Sequence, residues 1–480
     1  GRAASCGWMA SSLCARGLMA VSSPRQYAGL RGLSSAAEAA REISERGRAA
    51  GLRFFQFSFV DLFGVQRSKL VPAARVQEIA EGGAGFAGFA AHLDMDPTMG
   101  DLLAVPDASS LQPLPWRKEV GWLSCNLEHE GRPLPHGPRN VLRSVQAALN
   151  ERGLTLKTGV ECEFFLLDRF GTALSDDADT QSKPCYDAHA LMRRYELIGR
   201  LCEHMESMGW GPYQADHEDA NGQFEINWDF SDALITADRV TFFKYMVRTL
   251  AEEAGFRATF MPKPFAHLTG SGCHAHLSLH DVETGRNVCG GGGPSVHGLS
   301  ETALAFLAGL IEHAPAMAAL TNPAVNSYKR LNARSTSSGA TWSPTAATWA
   351  GNNRTALIRV PSGAPRMELR LGDMAANPYL MAAAIGGAGL SGLERGVPPP
   401  PPANLNMYLS TDPQVAAVLH DAKSLPRNLY EALNTLEMDT ALAVHLGEPF
   451  VASFLKLRRS HWEDYAAHLS KWELDAYLDS

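Results

Sequence analysis

The feature that most constrains this chain is a pair of glutamates inside an otherwise apolar run from Gly159 to Asp168. Glu161 and Glu163 are two residues apart, so a β-strand places both side chains on one face. Two carboxylates on one face of a buried strand repel each other and lose hydration unless a cation lies between them. We therefore expect this segment to carry ligands for a divalent metal ion. A solvated edge strand is the alternative.

A second acidic segment predicts a β-hairpin. Asn221 and Gly222 lie between two short β-prone runs, and Asn-Gly is typical of a two-residue hairpin loop. With that loop, Glu218 lies directly opposite Glu225, and like charges that face each other across a hairpin are destabilising. A bound divalent ion removes this repulsion, so we expect both glutamates to bind metal; a solvated hairpin end is the alternative.

Two histidines follow a glycine-rich stretch. His274 and His276 are two residues apart, so a strand places both rings on one face. The stretch from Thr269 to Gly272 precedes them, and glycine there lets the backbone come close to a ligand. A single histidine is more often structural, but a pair beside such a loop favours a functional role.

Arginines accompany these acids. Arg366, Glu368 and Arg370 alternate with apolar residues, which places all three on one face of a strand. Further cations lie upstream, at Arg330, Arg354 and Arg359. Arginine forks match the oxygens of carboxylates and phosphates. Clustered glutamates and histidines with arginines nearby suit divalent ions that hold the phosphates of a nucleotide.

Composition excludes several classes of protein. The chain has 480 residues, of which 45% are hydrophobic and 20% are charged, enough for a large core in about two domains. Its formal net charge is −8, whereas nucleic-acid-binding proteins are usually basic, so we expect no nucleic-acid partner. The 8 cysteines include no Cys-x-x-Cys pair, which indicates reduced thiols. The sequence predicts no membrane-spanning segment.

Residues 1–35 differ in composition from the rest of the chain. They are rich in Arg, Ser and Ala, and no acidic residue comes before Glu38. That composition is typical of an organelle transit peptide. We therefore predict a location in the mitochondrion ahead of the plastid. The alternative is a disordered terminus that carries no address, and with it a cytoplasmic location.

The pattern of elements changes near residue 138. Residues 36–138 read as a helix, a hairpin across the turn Asp61–Gly64, and Gly- and Pro-rich sequence, which predict a small β-rich domain. In residues 139–480 helices and strands alternate and short turns join several strands, which predicts a domain around a curved, largely antiparallel sheet. The glycine-rich stretch from Asn377 to Leu393 predicts a tightly packed, buried helix.

Taken in order, these segments resemble the glutamine synthetase family. Lys263–Ser278 is similar to that family's nucleotide-region signature, and the resemblance extends from Phe54 to the C-terminus. Within the family, the chain looks most similar to the bacterial branch that contains glutamate–methylamine ligases. That likeness lies in the stretches Gly83–Gly88, Asp216–Asn227 and Ser338–Pro344.

The resemblance implies an α+β fold and an assembly. Residues 36–138 would form a β-grasp domain, and residues 139–480 a catalytic domain whose curved, largely antiparallel sheet is flanked by helices and lines a funnel. The chains would form a homo-oligomeric ring with active sites between neighbouring subunits. Two Mg²⁺ or Mn²⁺ ions would be bound in each site, with ATP as a substrate.

The resemblance also implies a role for each site residue by motif position. One metal ion would be held by Glu163, Glu218 and Glu225, and the other by Glu161, His274 and Glu368. ATP would contact His276, Ser278 and Arg366, and glutamate would contact Gly270, Arg330 and Arg370. Arg354 and Arg359 would face the transferred phosphoryl group. Asp61, on the turn of the small domain, would reach into the neighbour's site and bind the incoming amine as its cation.

The implied reaction is the ATP-dependent ligation of ammonia or methylamine to the γ-carboxylate of glutamate through γ-glutamyl phosphate. In relatives that use ammonia a glutamate on a flap closes the site, but the segment Leu331–Asn353 contains no Asp or Glu. Trp342 and Trp349 lie in it and could cover an alkyl group, which favours methylamine, unless a flap acid is supplied from elsewhere in the chain. The alternatives are a ligase for a polyamine or another large amine, and an inactive synthetase-like structural protein.

Overall fold

The structure, a computed structural model, describes residues 35–291 and 296–480. Nearly all of the predicted transit peptide lies outside the described residues. The α-helices of the described chain are α1 (Ala36–Ala49), α2 (Val76–Gly82), α3 (Pro138–Asn150), α4 (Ala188–Arg193), α5 (Tyr195–Ser207), α6 (Ala233–Glu253), α7 (Glu301–Thr321), α8 (Ser327–Leu331), α9 (Pro378–Arg395), α10 (Pro413–Asp421), α11 (Leu429–Met438), α12 (Thr440–Leu446), α13 (Glu448–Ala467) and α14 (Lys471–Tyr477). The β-strands are β1 (Phe54–Val60), β2 (Gln66–Pro72), β3 (Ala84–Phe86), β4 (Leu102–Pro106), β5 (Gln112–Leu114), β6 (Arg117–His129), β7 (Arg132–Pro133), β8 (Leu154–Val160), β9 (Cys162–Asp168), β10 (Pro212–His217), β11 (Gln223–Trp228), β12 (Ser231–Asp232), β13 (Phe256–Thr259), β14 (Ala275–Asp281), β15 (Trp349–Ala350), β16 (Ile358–Arg359) and β17 (Met367–Leu369).

The first strands form a sheet of their own. It has seven strands in the order β2-β1-β6-β4-β3, with β5 and β7 paired to β6. The predicted hairpin is confirmed, because β1 pairs antiparallel with β2 from Phe54 opposite Pro72 onward. Phe55 and Phe57 of β1 are 1% and 0% exposed, so the face of the strand that carries them packs into the core.

The remaining strands form two sheets that meet at Glu161. One has four strands in the order β10-β11-β9-β13, and the other has six in the order β12-β8-β14-β17-β16-β15. All neighbouring strands in both sheets are antiparallel except β15 and β16, which confirms the largely antiparallel prediction. The expectation of one strand through Glu161 and Glu163 is wrong, because β8 and β9 belong to different sheets and Glu161 lies between them.

Helix α9 is the tightly packed helix that the sequence predicts, and all its residues from Pro378 to Gly392 are buried. It lies against α7 at a distance that only glycine permits. A Cβ on Gly392 would be 2.2 Å from the carbonyl oxygen of Ala305, and a Cβ on Gly309 would be 2.0 Å from that of Ala388. The two backbones are therefore in direct contact at the centre of the core.

Among the described helices, α7 is long and apolar enough to cross a membrane by length and composition. However, 78% of its most apolar window is buried inside the protein. Such burial is typical of the central helix of a core, because a lipid-facing helix would leave its apolar side chains uncovered by protein.

We expect Gly392→Ala to destabilise the protein, because the added methyl group overlaps the Ala305 carbonyl and forces α7 and α9 apart. Overpacking of this kind costs about 1–3 kcal/mol, which thermal unfolding detects as a lower Tm. Gly82→Ala is the matched control, since a Cβ there would meet no heavy atom within 4 Å. An unchanged Tm for Gly392→Ala would contradict the packing described for these helices.

Candidate functional site

Glu161 lies at the junction of the two sheets and is fixed there by two histidines. Its backbone N–H donates to the carbonyl oxygen of His274 at 3.0 Å. His274 Nδ1 and His276 Nε2 donate to its two carboxylate oxygens at 2.8 and 2.9 Å. Burial opposes ionisation of Glu161, but the hydrogen bonds from the histidines outweigh burial and hold its pKa well below the usual value. The junction therefore presents an ionised carboxylate.

Glu161, His276 and Glu368 form the first group that could hold a metal ion, with ligand atoms within 4.8 Å of one another. Glu368 reaches this group because β17 pairs with β14 and places it opposite His276. Arg359 donates to one oxygen of Glu368 at 2.5 Å, and Arg370 donates to the other. Burial opposes ionisation of Glu368, but the charge of Arg370 together with the two histidines outweighs burial and lowers its pKa. Cations of the protein therefore already compensate much of this group's negative charge.

The hairpin that carries the second group has a different register from the predicted one. Glu225 pairs with Asp216 rather than with Glu218, so the prediction is wrong. The chain turns at Ala220, whose carbonyl oxygen accepts the N–H of Gln223 at 3.0 Å. The Asn-Gly pair therefore lies inside a longer loop instead of forming the whole loop, and Glu218 belongs to that loop.

Despite the changed register, Asp216, Glu218 and Glu225 converge, with ligand atoms within 4.8 Å of one another. Burial raises the pKa of Glu218 to about 7, and burial with the neighbouring carboxylates raises that of Glu225 well above its usual value. Burial and Glu218 together raise the pKa of Glu163 to about 8. The protein provides too little positive charge to compensate these carboxylates, unlike those of the first group.

His274 has a ring nitrogen that makes no hydrogen bond to any residue that the structure describes and lies close to Glu163. Burial and the Arg370 guanidinium lower the pKa of His274 to about 4, so the ring is neutral. Since Nδ1 donates to Glu161, Nε2 carries the lone pair, and it has no hydrogen-bond partner among the described residues. A Cβ on Gly272 would lie 3.1 Å from this nitrogen and 3.0 Å from Oε1 of Glu163. Glycine thus keeps open a space in which nitrogen and carboxylate ligands meet, and these donors fit a divalent metal ion.

Two cavities adjoin Glu161, one on each side. The smaller cavity has a volume of about 280 Å³, and Tyr213 contributes an aromatic wall to it. All three residues that the resemblance assigns to ATP line this cavity: His276, Ser278 and Arg366. The structure thus brings these three side chains around one common space.

The larger cavity, of about 460 Å³, contains the acidic residues. The residues assigned to glutamate line it as well: Gly270, Arg330 and Arg370. Arg354 also lines this cavity, but Arg359, predicted to face the same phosphoryl group, does not. The guanidinium of Arg359 binds Glu368 and Asn352 instead, which makes it a support for Glu368.

The acid-free segment Leu331–Asn353 closes over the larger cavity through Asp219. Oδ2 of Asp219 accepts hydrogen bonds from Ser338 at 2.5 Å, from the indole N–H of Trp342 at 2.7 Å and from Thr269 at 2.9 Å. Trp342 adopts φ of 54°, a left-handed conformation that bulky residues rarely take. The hairpin loop therefore places a carboxylate next to the acid-free segment, and the tryptophan is held at the cavity wall.

Trp349, the other tryptophan of that segment, lies outside both cavities. It is 2% exposed, and its indole N–H donates to the carbonyl oxygen of Pro400 at 2.6 Å. The interpretation that Trp349 could cover an alkyl group is wrong, because β15 places this residue within the six-stranded sheet.

Asp61 lies on the turn between β1 and β2 and lines neither cavity of its own chain. Its side chain is 0% exposed within that chain. Oδ1 accepts the N–H groups of Phe63 and Val65 at 2.9 and 3.0 Å, and Oδ2 accepts from Arg67 at 2.9 Å. Within its own chain Asp61 therefore stabilises its turn, and its role toward a neighbouring subunit stays a prediction.

Sequence reasoning missed Asp216 and Asp219 as site residues. With the two-residue loop that we predicted, Glu218 paired with Glu225, and the acids on either side of Glu218 had no role. The sequence signal that could have identified them is the cluster of acidic residues before the Asn-Gly pair. It also missed Gln223, whose side-chain amide donates to Oε2 of Glu163 at 2.8 Å.

Comparison with known proteins agrees with this site. Residues 135–477 match the glutamine synthetase catalytic domain family. A protein named glutamine synthetase from Rhizobium leguminosarum bv. phaseoli is 49% identical over 91% of this chain and 99% of its own length. A protein named glutamate–methylamine ligase from Methyloversatilis universalis is 42% identical over 89% of this chain and 96% of its own length.

These relatives contradict the predicted organelle location. They are bacterial proteins, and bacteria have neither mitochondria nor plastids. The Arg- and Ser-rich composition of residues 1–35 was the only basis for the prediction, and such a composition has no physical link to one compartment.

A solved structure described as a GmaS/ADP complex is also similar to this chain, with a TM-score of 0.86 and 54% sequence identity. The similarity covers 91% of this chain and 99% of that one. Its backbone similarity therefore extends across both the small sheet and the sheets that meet at Glu161. Together with the family match and the identities above, this shows that the chain belongs to the glutamine synthetase family.

Proposed function

We propose that this chain is a ligase that uses ATP to join a small amine, methylamine or ammonia, to the γ-carboxylate of glutamate. The observation that carries the proposal is one cavity in which clustered carboxylates face buried arginines, next to a second cavity that suits a nucleotide. The γ-carboxylate attacks the γ-phosphate of ATP in line, which gives γ-glutamyl phosphate and ADP. The amine then displaces phosphate and forms the amide.

The two acidic groups suit two Mg²⁺ or Mn²⁺ ions. The first ion would be held by Glu163, Glu218 and Glu225, and the second by Glu161, His274 and Glu368. Asp216 has a ligand atom within 4.8 Å of those of Glu218 and Glu225, and His276 has one within 4.8 Å of those of Glu161 and Glu368, so both are candidates to complete the groups. When bound, the ions supply positive charge that neutralises the phosphate oxygens.

Buried arginines supply the remaining positive charge. Arg330 and Arg370 are 3% and 1% exposed, so an anion bound to them gains charge-assisted hydrogen bonds in a water-poor setting. We assign them to glutamate. Arg354 faces the phosphoryl group from the rim of the cavity, and Arg359 acts through Glu368.

Asp219 is suited to receive the amine. An alkylammonium ion is not a nucleophile, so a carboxylate must bind it and take a proton before it attacks. The three donors to Asp219 all bind Oδ2, so none of them occupies Oδ1, which we assign to the amine. Trp342 lies beside it and covers the methyl group of methylamine.

The cavity must exclude water because γ-glutamyl phosphate is readily hydrolysed. Besides Asp219, two contacts hold the covering segment closed. Lys183 Nζ donates to the carbonyl oxygen of Ser338 at 2.8 Å, and the N–H of Ser337 donates to that of His267 at 2.8 Å. Both contacts are made by main-chain groups of the segment, so they fix its path over the cavity.

We further propose that residues 36–138 form a β-grasp domain and that the chains assemble into a ring. Exposed apolar side chains near the C-terminus support an assembly, because single chains rarely leave such a patch uncovered. Leu469, Trp472 and Leu478 are 62%, 67% and 76% exposed. A partner subunit would remove them from water.

A large amine is the weaker alternative, because the indole of Trp342 is held against Asp219 at the cavity wall. An inactive structural protein is weaker still. Such a protein would be under no constraint to keep carboxylates with raised pKa values together in one cavity, since their repulsion destabilises the fold.

We expect Glu225→Gln to lose ADP formation by at least about a hundredfold, because the substitution removes a metal-binding charge while conserving shape. The rise in Tm that Mn²⁺ causes should also shrink in this variant. Glu119→Gln, which changes an exposed glutamate of β6, is the control. Wild-type ADP formation by Glu225→Gln would remove this residue from the metal site.

The effect of Mn²⁺ on Tm should increase with pH. The folded-state pKa of Glu163, about 8, lies above its unfolded value, so its contribution to stability is present in acid and is lost as pH rises through the folded pKa. The metal-free Tm should therefore fall toward pH 8. Metal binding requires the ionised carboxylates and releases their protons, so the Mn²⁺-induced rise in Tm should be larger at pH 8.5 than at about pH 6. A rise independent of pH would contradict this assignment.

We expect wild-type kcat/KM for methylamine to exceed that for ammonia at equal free-base concentration. A buried methyl group contributes about 0.8 kcal/mol, or about fourfold. Trp342→Ala should remove this preference, while Phe170→Ala, which removes an exposed aromatic side chain outside both cavities, should retain it. Asp219→Asn should lower amide formation more than ADP formation. If ammonia is preferred tenfold or more, the chain is a glutamine synthetase and the assignment of Trp342 is wrong.

A further inference from the structure

Asp179 lies outside both cavities, yet it joins the loops that form one wall of the larger cavity. It belongs to the connection between β9 and α4 and is 5% exposed. Oδ2 accepts from His217 Nε2 at 2.7 Å and from the N–H of Gly222 at 2.6 Å, and Oδ1 accepts from Asn221 Nδ2 at 2.8 Å. One carboxylate thus binds both ends of the hairpin loop.

His217 extends this connection to a second loop. It is 0% exposed, and its Nδ1 donates to the carbonyl oxygen of Pro184 at 2.8 Å. The N–H of Tyr186 donates to the carbonyl oxygen of His217 at 2.8 Å. Lys183, Cys185 and Tyr186 of this second loop all line the larger cavity.

We propose that Asp179 is a positioning residue for the amine step. It holds Glu218 and Asp219 toward the cavity from one loop and, through His217, holds Lys183 against the covering segment from the other. This inference rests on the proposed function, because Asp219 receives the amine there. The smaller cavity is lined by other segments, so KM for ATP should depend far less on Asp179 than KM for methylamine does, although Glu218 of the same loop is assigned to a metal ion.

The test separates the amine step from the nucleotide step. Asp179→Ala should raise KM for methylamine by at least about tenfold, because a displacement of about 1 Å in a reacting group costs up to a hundredfold. The ratio of amide formed to ADP released should fall, since an intermediate that waits for its amine is hydrolysed. KM for ATP should stay within about twofold of wild type.

Two variants separate positioning from a general loss of stability. Asp179→Asn retains an acceptor for His217 and Gly222 and should restore most of the amide-to-ADP ratio. Asp168→Ala is the matched control, because Asp168 caps a turn through the N–H groups of Thr172 and Ala173 at 2.7 and 3.1 Å and lines neither cavity. It should leave both KM values unchanged.

Each outcome decides a separate question. Wild-type protein that forms no amide with either amine contradicts the proposed function. An active wild type with equal changes in KM for ATP and for methylamine in Asp179→Ala overturns the inference, because only a structural role would act on both. If Asp179→Ala does not fold, Asn221→Ala removes one of the same hydrogen bonds, and an unchanged amide-to-ADP ratio in that variant overturns the inference.

Discussion

The mutual repulsion of buried carboxylates around one cavity is the constraint on which the rest of the structure depends. Glu163, Glu218 and Glu225 are removed from water and placed next to one another, so burial and their neighbours raise their pKa values. An arrangement of this kind opposes folding, and a divalent cation converts the repulsion into binding energy. The fold has to hold these groups together without the help of that cation.

The scaffold achieves this with two sheets and a dense core behind them. Glu161 lies where the sheets meet, and Gly272 leaves room for ligands in front of it. Helices α7 and α9 lie in backbone contact behind the six-stranded sheet, which makes the support rigid. The protein also divides its charges: arginines and histidines balance the group around Glu368, whereas the group around Glu225 keeps its excess negative charge.

Most residues of the site could be predicted from sequence, but their pairing could not. Period-two spacing identified Glu161 and Glu163 as a pair, yet Glu161 lies between β8 and β9 while Glu163 lies within β9, since spacing does not reveal where a strand ends. The Asn-Gly signal located a hairpin but not its register, because the turn at Ala220 is set by tertiary contacts such as those of Asp179. Asp219 became visible only when the fold brought Trp342 to it.

The central claim is that glutamate is activated by transfer of a phosphoryl group to its γ-carboxylate. It can be tested with glutamate labelled by oxygen-18 in that carboxylate, together with ATP, Mg²⁺ and methylamine. Attack of the carboxylate on ATP followed by displacement by the amine transfers one labelled oxygen from glutamate to phosphate. We expect each inorganic phosphate released with amide to carry one labelled oxygen. Phosphate without the label, released while amide forms, would contradict the account.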